Sequence, residues 1–142
     1  MLAHRRVADL IVGQMSRFVT ATRDSRDFVH LRYKPVTIET PEDVAEFTRD
    51  VATQLVALVG DRKVDIVVDL GQLVVKPSVA QMYDAARREL AANHAKLAFR
   101  YSGLSIVRTK ILTSSAIHGQ HANVYESFEQ AVAALLRARD VR

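Results

Sequence analysis

Three apolar runs, each leading into a segment of helical period, organise the second half of the chain: VDIVVDL at 64–70, KLAFRY at 96–101 and HANVY at 121–125. A helix opening at Ser78 follows the first, a helix of about 105–116 ending at Gly119 follows the second, and a helix opening at Ser127 follows the third. Alternating strands and helices imply a mostly parallel sheet with crossover helices. The run at 63–70 is apolar almost throughout, as suits a central strand covered on both faces.

The first half predicts a hairpin and a capped helix. A strand over about 17–23 is separated from FVHLRYK (28–34) by the polar turn Asp24-Ser25-Arg26-Asp27. In the second strand Val29, Leu31 and Tyr33 share one face, and His30, Arg32 and Lys34 the other. Thr40-Pro41-Glu42-Asp43 is a helix start, with a capping hydroxyl, a proline at the first helical position and acidic residues at the positive end of the dipole. The buried stripe is Val44, Phe47, Val51, Leu55 and Leu58, and Gly60 is the stop. Residues 71–77 read as a loop or strand extension.

Ser78 and Gln81 have capping-box spacing for a helix to about Asn93, with Val79, Met82, Tyr83, Ala86 and Leu90 inward and Asp84, Arg87, Arg88 and Glu89 toward water. The 105–116 helix turns Val107, Ile111 and Leu112 inward. The last helix repeats the capping-box spacing at Ser127 and Gln130, buries Phe128, Val132 and Leu135, and frays into RARDVR. Residues 4–14 place Val7, Leu10 and Ile11 on one helical face, so residues 1–14 read as an amphipathic appendage to a domain over 15–142. A lone helix this short is marginal in water, so it is expected to pack on a second copy, as a homodimer, or on its own sheet.

Composition narrows the function classes. The 142 residues contain no Cys, which excludes disulfides, thiol catalysis and Cys-ligated zinc and suits a reducing, cytoplasmic setting. No apolar stretch reaches the roughly 18–20 residues of a membrane span. The net charge of +4 raises nucleic acid or an anionic surface as a partner. The basic residues are scattered, however, and Arg5, Arg6, Arg137, Arg139 and Arg142 sit near the ends, where charge is ordinarily solvated.

Candidate chemistry is sparse. His118 and His121 have a spacing that brings two imidazoles together, but no third or fourth ligand completes a metal site. Ser114 and Ser115 lie near His118 without a nucleophile elbow, and on a helix small hydroxyls bond the preceding turn. The five glycines are too scattered for a phosphate loop. Asp65 and Asp69 share a strand face, where solvation at a strand end is the plainer reading than paired acid–base catalysis. His30, Arg32 and Lys34 form the polar row that reads as an anion or partner site if uncovered, and as edge-strand charge that discourages aggregation if not.

Two leading strands, a capped helix, the VDIVVDL strand, AQMYDAARREL after it and the closing HANVYESFEQAVAALL resemble the SpoIIAA-like, STAS-related (STAS/SEC14) family over roughly residues 16–136. The resemblance implies an α/β fold of STAS type: a mixed sheet of about five strands with about four helices, in a bacterial, cytoplasmic, regulatory protein without a cofactor. It further implies a non-enzymatic module that binds a protein partner or, as in the SEC14-like branch, carries or senses a lipid or small apolar or anionic ligand. In phosphorylated anti-sigma-factor antagonists a serine follows the central strand. Ser78 holds about that place, but Lys76-Pro77-Ser78-Val79 lacks the acidic residue and glycine of that motif, and the cap reading explains Ser78 without phosphate. A large apolar pocket under the helices favours the carrier, and a filled core with one exposed patch favours the protein-binding module.

Overall fold

A computed structural model of the chain describes residues 16–117, 119 and 123–141. The expected helix within residues 1–14, His118 and His121 lie outside them. The hairpin forms as read: β1 (Val19–Asp24) and β2 (Phe28–Tyr33) pair antiparallel around the Asp24–Asp27 turn. A two-residue strand β3 (Thr37–Ile38) precedes α1 (Pro41–Val59). The Thr40 side chain accepts from the Asp43 N–H while the Asp43 carboxylate accepts from the Thr40 N–H, a complete capping box. Gly60, at φ 68°, closes the helix by donating to the Val56 carbonyl.

β4 (Val64–Asp69) follows, then β5 (Val74–Val75), a 3₁₀ turn (Pro77–Val79), α2 (Ala80–His94), β6 (Ala95–Tyr101), α3 (Ser105–Ile117), β7 (Val124–Tyr125) and α4 (Phe128–Asp140). The result is an α/β fold whose main sheet is mixed and five-stranded, in the order β1-β2-β4-β6-β7, with four helices among the described residues. β2, β4, β6 and β7 run parallel, and only β1 is antiparallel.

Each face of the sheet has its own core. Val29, Leu31, Ile66 and Val68 pack under α1 and α2, which contribute Phe47, Val51, Leu55 and Tyr83. Phe28, Val67 and Phe99 pack under α4 against Val132 and Leu135. The central strand is therefore buried on both faces, because the period-2 alternation feeds two helical layers at once.

Two features close off exposed backbone. On edge strand β1, the buried Gln54 amide of α1 donates to the Val19 carbonyl at 3.0 Å and accepts from the Ala21 N–H at 2.7 Å, standing in for a missing neighbour strand. Residues 71–77 are not plain loop: β5 pairs parallel with β3. Gly71 makes that path available, because at φ 52° a Cβ there would sit 2.5 Å from the Tyr33 carbonyl oxygen.

Four sequence expectations need correction. Ser78 caps nothing: Pro77 starts a 3₁₀ turn from Lys76, so Ser78 lies inside the turn with its side chain exposed, and α2 begins at Ala80 without a side-chain cap. Met82 and Leu112, placed inward by spacing, are exposed, and α3 buries no residue because among the other elements it chiefly meets the two-residue β7. The chain does not fray after Leu136, since α4 runs to Asp140. Arg139 is not a solvated terminal charge but bonds the buried Asp65.

Ser127 does cap α4, accepting from the Gln130 N–H at 3.2 Å, while the Gln130 side chain reaches one residue beyond the box, to the Glu126 N–H. Ser127→Ala is therefore expected to cost about 1 kcal/mol. Ser78→Ala is expected to stay within about 0.5 kcal/mol of the parent. Urea denaturation of the two variants side by side checks both values, and equal losses would contradict the cap assignment.

Candidate functional site

The structure disperses the polar row His30, Arg32 and Lys34. β2 is an interior strand, paired with β1 and β4, so the edge-strand reading of these residues does not hold. Lys34 donates to the Ser16 carbonyl, Arg32 is exposed beside Asp69 in register, and His30 is half-buried against the Phe128 ring, centroids 4.5 Å apart. The His30 Nε2 lies 2.7 Å from the Tyr101 hydroxyl. Tyr101 also bonds the Asp69 carboxylate, which can only accept, so the network assigns the Nε2-protonated tautomer to His30. Asp65 and Asp69 share a strand face as read, but the first bonds Arg139 and the second accepts from the Gly71 N–H, so neither stands as a simple solvated strand end.

Burial and then the Arg32 charge hold the His30 imidazole below its ordinary value of 6.5, against the opposing fields of Asp69 and Asp24. The folded protein thus binds this proton less well than the unfolded chain. The stability it contributes is complete above pH 6.5 and is lost as pH falls through the lowered value. Calorimetric melting temperatures are expected to decline from pH 7 to pH 5 less steeply in His30→Gln than in the parent. Parallel slopes would contradict this.

A different place has the shape of a binding site. On the α1/α2 face, the sheet and the two helices do not fill the space between them and leave a chamber of about 150 Å³. Leu31, Ile66 and Val68 form its floor, Phe47, Leu55 and Leu90 its roof. The chamber also meets Arg87 of α2, Arg100 of β6 and Asn123. None of the α3 residues lines it.

Arg100 is the penultimate residue of β6, with Val68 and Val124 as its register partners, at a position where the alternation calls for an apolar side chain. Among the described residues neither the Arg87 nor the Arg100 guanidinium makes a hydrogen bond or an ion pair, whereas arginines elsewhere, such as Arg17, Arg26 and Arg139, sit on carboxylates. Both are half-buried, and both line the chamber. Burial and then the Arg87 charge push the Arg100 guanidinium below its ordinary value, with Tyr33, Tyr83 and Asp84 opposing more weakly. Tyr33 lines the same wall, and its hydroxyl shares a hydrogen bond with that of Tyr83. Burial raises both phenols, so both stay protonated at neutral pH.

This arrangement can desolvate a compact apolar body and meet one anionic group at its end. Among the described residues it offers no nucleophile–base pair: the lining side chains are apolar apart from the two arginines, Asn123 and Tyr33. Ser114 and Ser115 lie on α3, away from the chamber lining. Comparison with known proteins finds no family model, no curated protein and no solved structure that matches the chain.

Proposed function

We propose that the protein is a non-enzymatic α/β module that binds a small amphiphilic anion in the α1/α2 chamber, as a carrier or sensor. The observation that carries this reading is the pairing of an apolar chamber of about 150 Å³ with two arginines whose guanidiniums have no carboxylate partner among the described residues. An uncompensated cation beside apolar surface costs stability, and a bound anion offsets that cost. The lining supports a binding rather than a catalytic role, because among the described residues it holds no serine, histidine or carboxylate. The sequence resemblance to the SpoIIAA-like, STAS-related family agrees with this reading through that family's SEC14-like branch, and implies a cytoplasmic setting. No helix among the described residues is long and apolar enough to cross a membrane.

Native mass spectrometry of the full chain with a panel of six- to eight-carbon alkyl and aryl compounds (about the size such a cavity holds) tests this. One-to-one complexes are expected. A chain that binds no member of the panel would overturn it.

A second reading, a protein-binding regulatory module, is favoured by one observation: α3 exposes Ile106 at 65 % and Ile117 at 76 %. In that reading the exposed Ser78 is the point of phosphorylation, and a second copy of the chain is the first partner to test. Sedimentation of the full chain against an Ile106→Ser/Ile117→Ser variant tests the homodimer form. Conversion of dimer to monomer supports it, and equal masses contradict it.

A further inference from the structure

The geometry points to a monocarboxylate with an apolar body of about six to eight carbons as the ligand, its carboxylate held between Arg100 and Arg87 and its body on Leu31, Phe47, Leu55 and Ile66. This rests on the chamber reading above and adds the chemical class. Size sets the body: a cavity of about 150 Å³ lined by aliphatic and aromatic side chains accommodates benzene. A ligand of that girth fills the chamber and leaves its polar end at the half-buried arginines.

Charge sets the headgroup. Arg87 and Arg100 bring two positive charges, and Asp84 on the same helix as Arg87 adds a negative field that acts on Arg100. Two guanidiniums match a single carboxylate, and the Asp84 field, although the weakest of those on Arg100, counts against a dianionic phosphate more than against a monoanion. Geometry agrees with charge. A guanidinium presents a planar fork of donors that matches the two oxygens of a carboxylate. Arg100 projects from a strand paired on both sides and Arg87 from the middle of a fifteen-residue helix, so both are carried by rigid elements. Tyr33 lines the same wall beside the arginines.

Isothermal titration of the full chain with hexanoate, hexan-1-ol and hexyl phosphate tests the class, with benzoate in place of hexanoate separating an aryl from an alkyl source of the same chemistry. At least one of the two carboxylates is expected to bind about tenfold to a hundredfold more tightly than the alcohol, since charge-assisted hydrogen bonds distinguish them. Hexyl phosphate is expected to bind no more tightly than that carboxylate. Arg100→Gln is expected to remove the carboxylate's advantage and leave hexan-1-ol unchanged, and Arg87→Gln, at the helix surface, to remove part of it. Should Arg100→Gln fail to fold, Arg87→Gln and the acid-to-alcohol ratio of the parent decide. Equal binding of acid and alcohol, or tenfold tighter binding of the phosphate, would overturn the carboxylate while leaving the chamber as a site. Binding of none of the four would overturn the chamber reading itself.

Discussion

Replacing Arg139 with methionine is expected to destabilise the fold by about 3–5 kcal/mol, the largest effect of any single polar substitution considered in this chain. The guanidinium ties together three places far apart in sequence. Its Nε donates to Asp65 Oδ2 at 2.8 Å, and its two terminal nitrogens donate to the Arg26 and Asp27 carbonyl oxygens at 2.7 Å each. Asp65 is 5 % exposed at the start of the central strand, and Asp27 holds the hairpin turn at φ 63°. Losing Arg139 takes the guanidinium from a buried carboxylate and unties α4 from the β1–β2 turn. Lysine is expected to recover little, because one ammonium cannot span three acceptors arranged for a planar fork. The double variant Asp65→Leu/Arg139→Leu is expected to lose much less than the sum of the single changes, since a buried pair is costly to break but not to replace. Urea unfolding of the four proteins measures the coupling. A loss under about 1 kcal/mol for Arg139→Met, the range of exposed pairs, would show that the contact is a surface one.

The second large effect runs the other way. Arg100→Met is expected to stabilise the unliganded protein by about 1–2 kcal/mol, because it exchanges a desolvated, unpaired cation for an apolar side chain of similar length. For a domain of this size that is a rise in melting temperature of about 3–6 °C. The same variant is expected to lose the carboxylate's binding advantage, so that added hexanoate no longer raises its melting temperature while the parent still responds. Gain of stability with loss of ligand response is the mark of a residue kept for binding. A destabilised Arg100→Met would mean that Arg100 has a structural partner, and the chamber would lose its anion anchor.

Much of the fold is legible in the sequence where two local signals agree. The hairpin, the Thr40 cap, the largely apolar central strand and the Ser127 cap each combine a periodicity with a turn or cap residue. The misreadings occur where one signal stands alone. Ser78 and Gln81 have box spacing, but Pro77 fixes the turn a residue earlier. Leu112 has the right helical phase, yet phase says which way a side chain points and not whether another element lies opposite. Arg139 looks like a frayed tail because its three partners lie 74 to 113 residues away.

The candidate site was harder to read, since its lining comes from β2, α1, β4, α2, β6 and the approach to β7. One signal was nonetheless present. In KLAFRY, Arg100 interrupts the apolar alternation of a strand destined to be flanked on both sides. Such an arginine needs a compensating charge, and none lies close in sequence: the neighbours from Lys96 to Lys110 include no carboxylate.

The central claim, that the chamber between the sheet and α1/α2 is the ligand site, is tested most directly by isotope-filtered nuclear Overhauser spectroscopy of the labelled full chain with hexanoate. Contacts from the ligand's terminal methyl to Leu55 and Ile66, with its α-carbon near Arg100, are the predicted result. Contacts instead to Ile106, Leu112 or Ile117 on the exposed face of α3 would contradict it.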